Sequence, residues 1–237
     1  MAILEVQDID TFYGKSHILH GVSLTMEKGQ IVALLGRNGA GKTTTLRSIM
    51  GLTPPGKGRI NFRGRPVSGR KPFEIARLGI GFVPETRGIF PEITVRDNLE
   101  IAVKDSADGG RTWTLEKIYE YFPILDSRKD SKGKNLSGGE QQMLTIARTL
   151  MGNPELILLD EPCEGLAPRI VSGVLFSLVR ELRQKEGITI LLAEQNVKFC
   201  LGLADWGYLL DKGAVQHSAS AEEIKSDTDL QRKYLAL

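Results

Sequence analysis

The segment that most restricts the fold is Ile31-Val-Ala-Leu-Leu35, followed at once by Gly36-Arg-Asn-Gly-Ala-Gly-Lys42-Thr43 and an apolar run through Leu46 and Ile49 to Met50. A continuously apolar strand must be covered on both faces, which is the situation of a parallel sheet between helices. The stretch from 36 to 43 reads Gly-x4-Gly-Lys-Thr between a strand and a helix, the context in which such a loop cradles phosphate. Gly36, Gly39 and Gly41 let the backbone turn so that several N–H groups converge on one anion. The following helix adds the positive end of its dipole. Arg37, Asn38, Ala40 and Thr44 complete the nucleotide-binding set. Lys42 is placed to reach the β- and γ-phosphates of a nucleoside triphosphate, and the Thr43 hydroxyl to ligate Mg2+.

Two further stretches narrow the chemistry. Ile157-Leu-Leu-Asp160-Glu161 ends an apolar run on two carboxylates, which puts both at the C-terminal edge of a sheet, where α/β proteins place ligands. Asp160 is predicted to hold Mg2+, and Glu161 to polarise or orient the attacking water. The alternative for either is an acidic helix cap after a strand. Upstream, Leu136-Ser137-Gly138-Gly139-Glu140 opens a helix. Ser137 with Glu140 three residues on is a capping box, and Met143, Ile146, Ala147 and Leu150 follow at helical spacing. Two glycines in a first turn weaken a helix, which argues against a purely structural cap. In a single chain this second anion-ready helix end has no obvious phosphate, because residues 36 to 43 already surround one.

This order of elements resembles the ABC ATPase family through nearly the whole chain. The resemblance implies face-to-face pairs, in which Leu136 to Glu140 of one subunit meet the γ-phosphate of the ATP held by the other, with ATP and Mg2+ as cofactors. It also implies that Tyr13 stacks on adenine, against the bland reading of surface packing. Three positions depart from the commonest pattern. Glu85 stands where a Gln usually contacts Mg2+ and water, Gln195 where a His usually contacts the γ-phosphate, and Ala167 where an Asp usually reaches across the pair. Glu85 is able to bind Mg2+ directly but adds negative charge, and Gln195 still donates a hydrogen bond but carries no proton. Ala167 removes a cross-interface acceptor. Val-Pro-Glu at 83–85, Gly-Leu-Ala-Pro at 165–168, Glu-Gln-Asn at 194–196 and Gly88-Ile-Phe-Pro-Glu-Ile-Thr-Val-Arg-Asp-Asn-Leu99 together look like the LivF-type ATPases of branched-chain amino acid importers.

That resemblance implies integral-membrane permease subunits as partners and, through them, a solute-binding protein outside the membrane. It favours a second, similar ATPase over an identical copy, and places the chain on the cytoplasmic face of the membrane. Glu161, Gln195 and Glu85 would carry catalysis, with Thr43, Glu85 and Asp160 around Mg2+. Residues from Glu85 to about Asn98 would join the nucleotide site to the permease, with Phe90, Pro91 and Ile93 either exposed apolar contacts or packing within a helical subdomain. Import of urea or amides and lipid export are the neighbouring alternatives, and a soluble ABC ATPase acting on nucleic acid or the ribosome is the more distant one.

Composition agrees with this and excludes others. The formal charge is +2, from 31 basic and 29 acidic residues, too balanced to argue for nucleic acid. The local cluster Lys57, Arg59, Arg63, Arg65, Arg70 and Lys71 reads as a solvated hairpin face, with phosphate or head-group contact as the lesser alternative. Cys163 and Cys200 make no disulfide framework and are read as structural. No apolar run reaches the ~18 residues of a membrane span, and the first residues enter a strand pattern without a signal peptide's regions.

The expected fold is α/β, a P-loop NTPase of ABC ATPase type: a mixed sheet core, an N-terminal antiparallel portion and an inserted helical subdomain. One domain over 1–237 is expected, with 1–84 and 136–237 as nucleotide-binding core and 85–135 as helical subdomain. Strands are expected at 3–9, 18–25, 30–35, 156–160 and 188–192. Residues 53–72 read as turns with a short hairpin, 73 to about 135 as mainly helical with a polar loop at 105–110, and 168–186 as helix. A helix through Phe199, a hairpin at Asp211-Lys-Gly213 and one short helix capped by Ser220 and Glu223 complete the chain.

Overall fold

Two sheets share one layer of core. The computed structural model describes residues 2–105 and 112–235. Strands β1 (Ala2–Tyr13) and β2 (Ser16–Glu27) form a long hairpin, β3 (Ile31–Leu35) runs into helix α1 (Lys42–Ile49), and β4 (Lys57–Phe62) and β5 (Arg65–Pro66) form a second hairpin. Helix α2 (Pro72–Arg77) leads to β6 (Ile80–Val83). Three short helices follow, α3 (Val95–Glu100), α4 (Leu115–Tyr121) and α5 (Pro123–Ser127). Helix α6 (Gly138–Leu150) then precedes β7 (Leu156–Asp160), α7 (Phe176–Glu186), β8 (Thr189–Glu194) and α8 (Val197–Leu203). The chain ends with the β9 (Trp206–Asp211) and β10 (Ala214–Ser220) hairpin and helices α9 (Ala221–Ser226) and α10 (Thr228–Leu235).

The antiparallel sheet has the order β2-β1-β4-β5 and the mixed sheet β10-β9-β3-β8-β7-β6. In the latter β3, β6, β7, β8 and β9 are parallel and only β10 runs against its neighbour. The side-chain alternation of β3 explains its unbroken apolar run. Ile31, Ala33 and Leu35 pack among α6, α7 and the helical insertion, while Val32 and Leu34 pack with α1 and the antiparallel sheet. β7 and β8 divide in the same way, so every residue of these strands is buried. The sheets are tied where His20 N–H donates to the Gly213 carbonyl (2.8 Å) and where the Tyr208 hydroxyl meets the backbone of Thr25.

Two expectations need correction, and two are met with added detail. Residues 73–135 are not simply helical: Ile80–Val83 is the edge strand of the mixed sheet, parallel to β7. Ile-Gly-Phe-Val is too short to show a period, and its Gly81 serves a close approach, since a Cβ there would stand 2.6 Å from Thr149 Cγ2. The short hairpin expected within 53–72 forms as β4 and β5, and β4 also pairs with β1, widening the antiparallel sheet. The helix expected over 168–186 spans those residues, with π geometry at Ile170–Leu175 ahead of α7. The last short helix is followed by a second one, α10. The polar loop at 105–110 lies, from residue 106 on, outside the described residues. Both capping boxes form as read: Ser137 with Glu140 on α6 and Ser220 with Glu223 on α9.

Candidate functional site

The loop between β3 and α1 is shaped by what glycine leaves out. A Cβ on Gly36 would collide with the Leu210 carbonyl, and one on Gly41 would stand 2.7 Å from Leu19 Cδ2 at a φ of 109° that favours glycine. Helix α1 has no side-chain cap and no acidic residue in its first turn, so its first N–H groups point at the loop unanswered by its own sequence. Lys42 folds back over the loop. Its ammonium donates to the carbonyls of Gly36 (2.8 Å) and Arg37 (3.2 Å) and lies 2.9 Å from Glu161 Oε1. Lys42 and Glu161 are both buried.

β7 delivers the two carboxylates beside this loop. Thr43 Oγ1 donates to Asp160 Oδ1 at 2.9 Å. Burial pushes the Asp160 carboxyl up to about 6, reinforced by the neighbouring charges of Glu85 and Glu161 against the Thr43 hydrogen bond and Lys42. Burial also raises Glu161, opposed by its bond to Lys42. Glu161 sits at a φ of 44°, a left-handed conformation that costs a non-glycine residue. Thr43 and Asp160 set two hard oxygen donors side by side, and Glu85 lines the same cleft, a donor set that suits Mg2+. Among the described residues no cluster of three His, Cys, Asp or Glu could hold a metal alone. Such a sparse set matches the way Mg2+ is usually held, through one or two carboxylates and phosphate oxygens.

The cleft is about 420 Å3 and is lined by Tyr13, Asn38, Gly39, Gly41, Lys42, Thr43, Thr44, Glu85 and Glu161, with Ile18 and Glu164 in addition. Ile18 and Glu164 carry no motif in the sequence, and only the approach of the β1–β2 hairpin and of the loop after β7 brings them in. Tyr13 ends β1 half-exposed, its hydroxyl 3.5 Å from Thr53 Oγ1. Gly36 and Ala40 are buried beneath the loop and Arg37 is exposed above it. Gln195 does not line the cleft; it lies on a different recess, with Asn196 and Val197.

Leu136 to Glu140 stand elsewhere. Ser137, Gly138, Gly139 and Glu140 open on a separate recess of about 540 Å3 with Met143, Gly165, Leu166, Ala167, Ile170 and Val174, and Leu136 is buried beneath them. The two clefts share no lining residue. Arg87 stands between them, donating to the Glu164 carbonyl (3.3 Å) with its guanidinium against Gly138 and Gly165. Sequence motifs did not mark it. Of the three candidate contact residues, Phe90 and Pro91 are exposed and Ile93 is half-buried. Buried Asn98 pins Phe90 by bonding both its N–H and its carbonyl at 2.9 Å. The basic cluster is partly engaged, Lys57 near Asp10 and Arg63 on Glu155. Both thiols are pushed upward by burial, which fits the structural reading of Cys163 and Cys200.

Fold and site define a nucleotide-binding cassette, and the family model for the ABC transporter matches residues 19–164. The chain belongs to the ABC transporter family and is an ATP-hydrolysing enzyme of it. It is 38% identical over 233 residues, 98% of this chain and 99% of the relative, to the high-affinity branched-chain amino acid transport ATP-binding protein BraG of Pseudomonas aeruginosa. The lipopolysaccharide export system ATP-binding protein LptB of Escherichia coli K12 is 34% identical, covering 99% of this chain and 98% of that protein. Among solved structures, the ADP conformation of the ATP-binding cassette MJ1267 superposes with a TM-score of 0.82 at 30% identity, covering 98% of both chains.

Proposed function

We infer that this chain is the ATP-driven motor subunit of an importer for branched-chain amino acids or related small polar solutes. Supporting this is the convergence of Lys42, Thr43, Glu161 and Glu85 on one cleft, with Asp160 bonded to Thr43 beside it, while Ser137 to Glu140 open on another. Each subunit of a pair then lends its glycine-flanked helix end to the nucleotide of the other. Lys42 and the loop N–H groups hold the phosphates, with Tyr13 against the adenine. Thr43, Asp160 and Glu85 hold Mg2+, which neutralises phosphate charge when bound. Glu161 takes up or orients the attacking water, and Gln195 donates toward the γ-phosphate. Lys42 must exchange its Glu161 and carbonyl partners for phosphate oxygens, which frees the Glu161 carboxylate for water.

The membrane part is supplied by permease subunits, on whose inner face the chain sits. No helix among the described residues is long and apolar enough to cross a membrane. The likeness to BraG and the three departures at Glu85, Ala167 and Gln195 support branched-chain substrates and a mixed pair. Residues 85–135 form the helical subdomain that meets the permease. Deleting the gene and measuring uptake of labelled leucine, isoleucine and valine tests the reading. Uptake should fall and return with the wild-type chain but not with Glu161→Gln. The similarity to LptB favours lipid export as the second reading; undiminished uptake together with defective lipid export would establish it instead.

A further inference from the structure

β7 and β8 are hydrogen-bonded neighbours that end level, Asp160 opposite Ala193. The chain leaves the sheet through Glu161 on one strand and Glu194 on the other, and the two departures are laced together. Glu161 N–H donates to the Ala193 carbonyl at 2.8 Å. Glu194 closes the lacing from the other side. Its Oε1 accepts the N–H of Cys163 at 2.8 Å and its Oε2 the N–H of Asn196 at 2.8 Å. Glu194 is 1% exposed at the end of a strand that is apolar from Ile190 to Ala193. A carboxylate is costly to bury unless hydrogen-bonded, and here both oxygens are used on loop backbone that the sheet no longer holds.

We propose that Glu194 is a positioning residue for hydrolysis. Its carboxylate joins the backbone after Glu161 and the backbone after Gln195 into one unit, so that both side chains are presented to the nucleotide together. The inference rests on the roles given above to Glu161 and Gln195. Glu161 is in a strained left-handed conformation that persists only where its surroundings hold it, and the Cys163 arm supplies part of that hold. The Asn196 arm fixes the backbone that carries Gln195. Glu194→Gln retains the volume and one acceptor but turns an amide NH2 toward a backbone N–H, donor against donor.

The test compares the full-length wild type with Glu194→Gln, Glu194→Ala, Glu161→Gln and, as a packing control on the same strand, Ile190→Val. Steady-state MgATP hydrolysis, affinity for a fluorescent ATP analogue, Tm and amide hydrogen exchange are measured for each. Displacing a reacting group by about 1 Å costs up to about a hundredfold. Glu194→Gln should therefore lower kcat about ten- to a hundredfold, with nucleotide affinity within about twofold and faster exchange at Cys163 and Asn196. Ile190→Val should lose Tm and keep kcat. Unchanged exchange at those two amides, or a kcat loss that merely follows Tm or affinity, overturns the proposal. If Glu161→Gln hydrolyses normally, the reading of Glu161 fails, and the exchange data still decide whether Glu194 holds the loops.

Discussion

Two helix N-termini of this molecule are built in opposite ways. α1 begins at Gly41 with no side-chain cap and no acidic residue in its first turn. α6 begins at Ser137 with a complete capping box, the Glu140 carboxylate accepting the Ser137 N–H at 2.7 Å. The first leaves its positive end unanswered at the floor of a cleft, so an anion from outside completes it. The second satisfies much of its own demand and stands free on a different face. An uncapped helix end inside a pocket is a receptor for a bound phosphate. A capped, glycine-bearing end at the surface is suited to meet a phosphate that something else holds.

The strongest way to break the contrast is to disable the first site while leaving the second intact. Glu161→Gln should lower hydrolysis by about 10²–10⁴-fold, the usual share of a general base, while retaining ATP. Light scattering with MgATP should then show a dimer, of this chain alone or only after the second ATPase is added. A variant that still hydrolyses normally ends the role given to Glu161.

Asp160 sharpens the electrostatic side. Its folded pKa, about 6, lies above the ordinary 3.8. Between those values the fold holds a proton that the unfolded chain has lost. This group's contribution to stability is therefore present at low pH and is lost as pH rises through the window. Asp160→Asn should abolish Mg2+-dependent hydrolysis yet raise Tm at pH 7.5, at about 2–4 °C for each kcal/mol recovered. Mg2+ affinity of the nucleotide-loaded wild type should weaken as pH falls below about 6, and a flat profile would contradict Asp160 as a ligand.

The two capping boxes give a paired test. Ser137→Ala and Ser220→Ala each remove one arm and should each cost about 1 kcal/mol of stability. Only Ser137→Ala should also slow hydrolysis in the paired state, with ATP affinity of the single chain unchanged. Equal effects on hydrolysis would mean that the 136–140 turn is a cap and nothing more. The smallest effect belongs to Tyr13→Ala, which should weaken ATP binding by about 0.5–1.5 kcal/mol, roughly two- to twelvefold in Kd.

These outcomes also mark how much was legible beforehand. The phosphate loop, the Asp160–Glu161 pair and both capping boxes are local patterns, in which a few adjacent residues fix one geometry, and they read directly. β6 was not legible: four residues containing Gly81 become a strand only because β7 offers an open edge and Thr149 needs the space. Glu194 belongs to the Glu-Gln-Asn stretch, but nothing local marks its carboxylate as a tie, because its partner Cys163 is 31 residues away; Arg87 carries no motif, and the fold brings Glu164 and Gly138 to it. The π-turn at Ile170–Leu175 interrupts a helix whose residues show no break in pattern.

The sequence by itself determined that β3 is a doubly covered strand feeding an anion-binding loop, because five buried apolar residues and three glycines at fixed spacing admit little else. The order of that loop, Leu136 to Glu140 and the Asp160–Glu161 pair pointed to the family. Only the tertiary structure decided that Lys42 meets Glu161, that Thr43 meets Asp160 and that the 136–140 turn stands on another cleft. Those relations span more than a hundred residues of chain and depend on which strands lie side by side. Strand order is set by burying both sheet faces at once, a property of the whole core rather than of any segment.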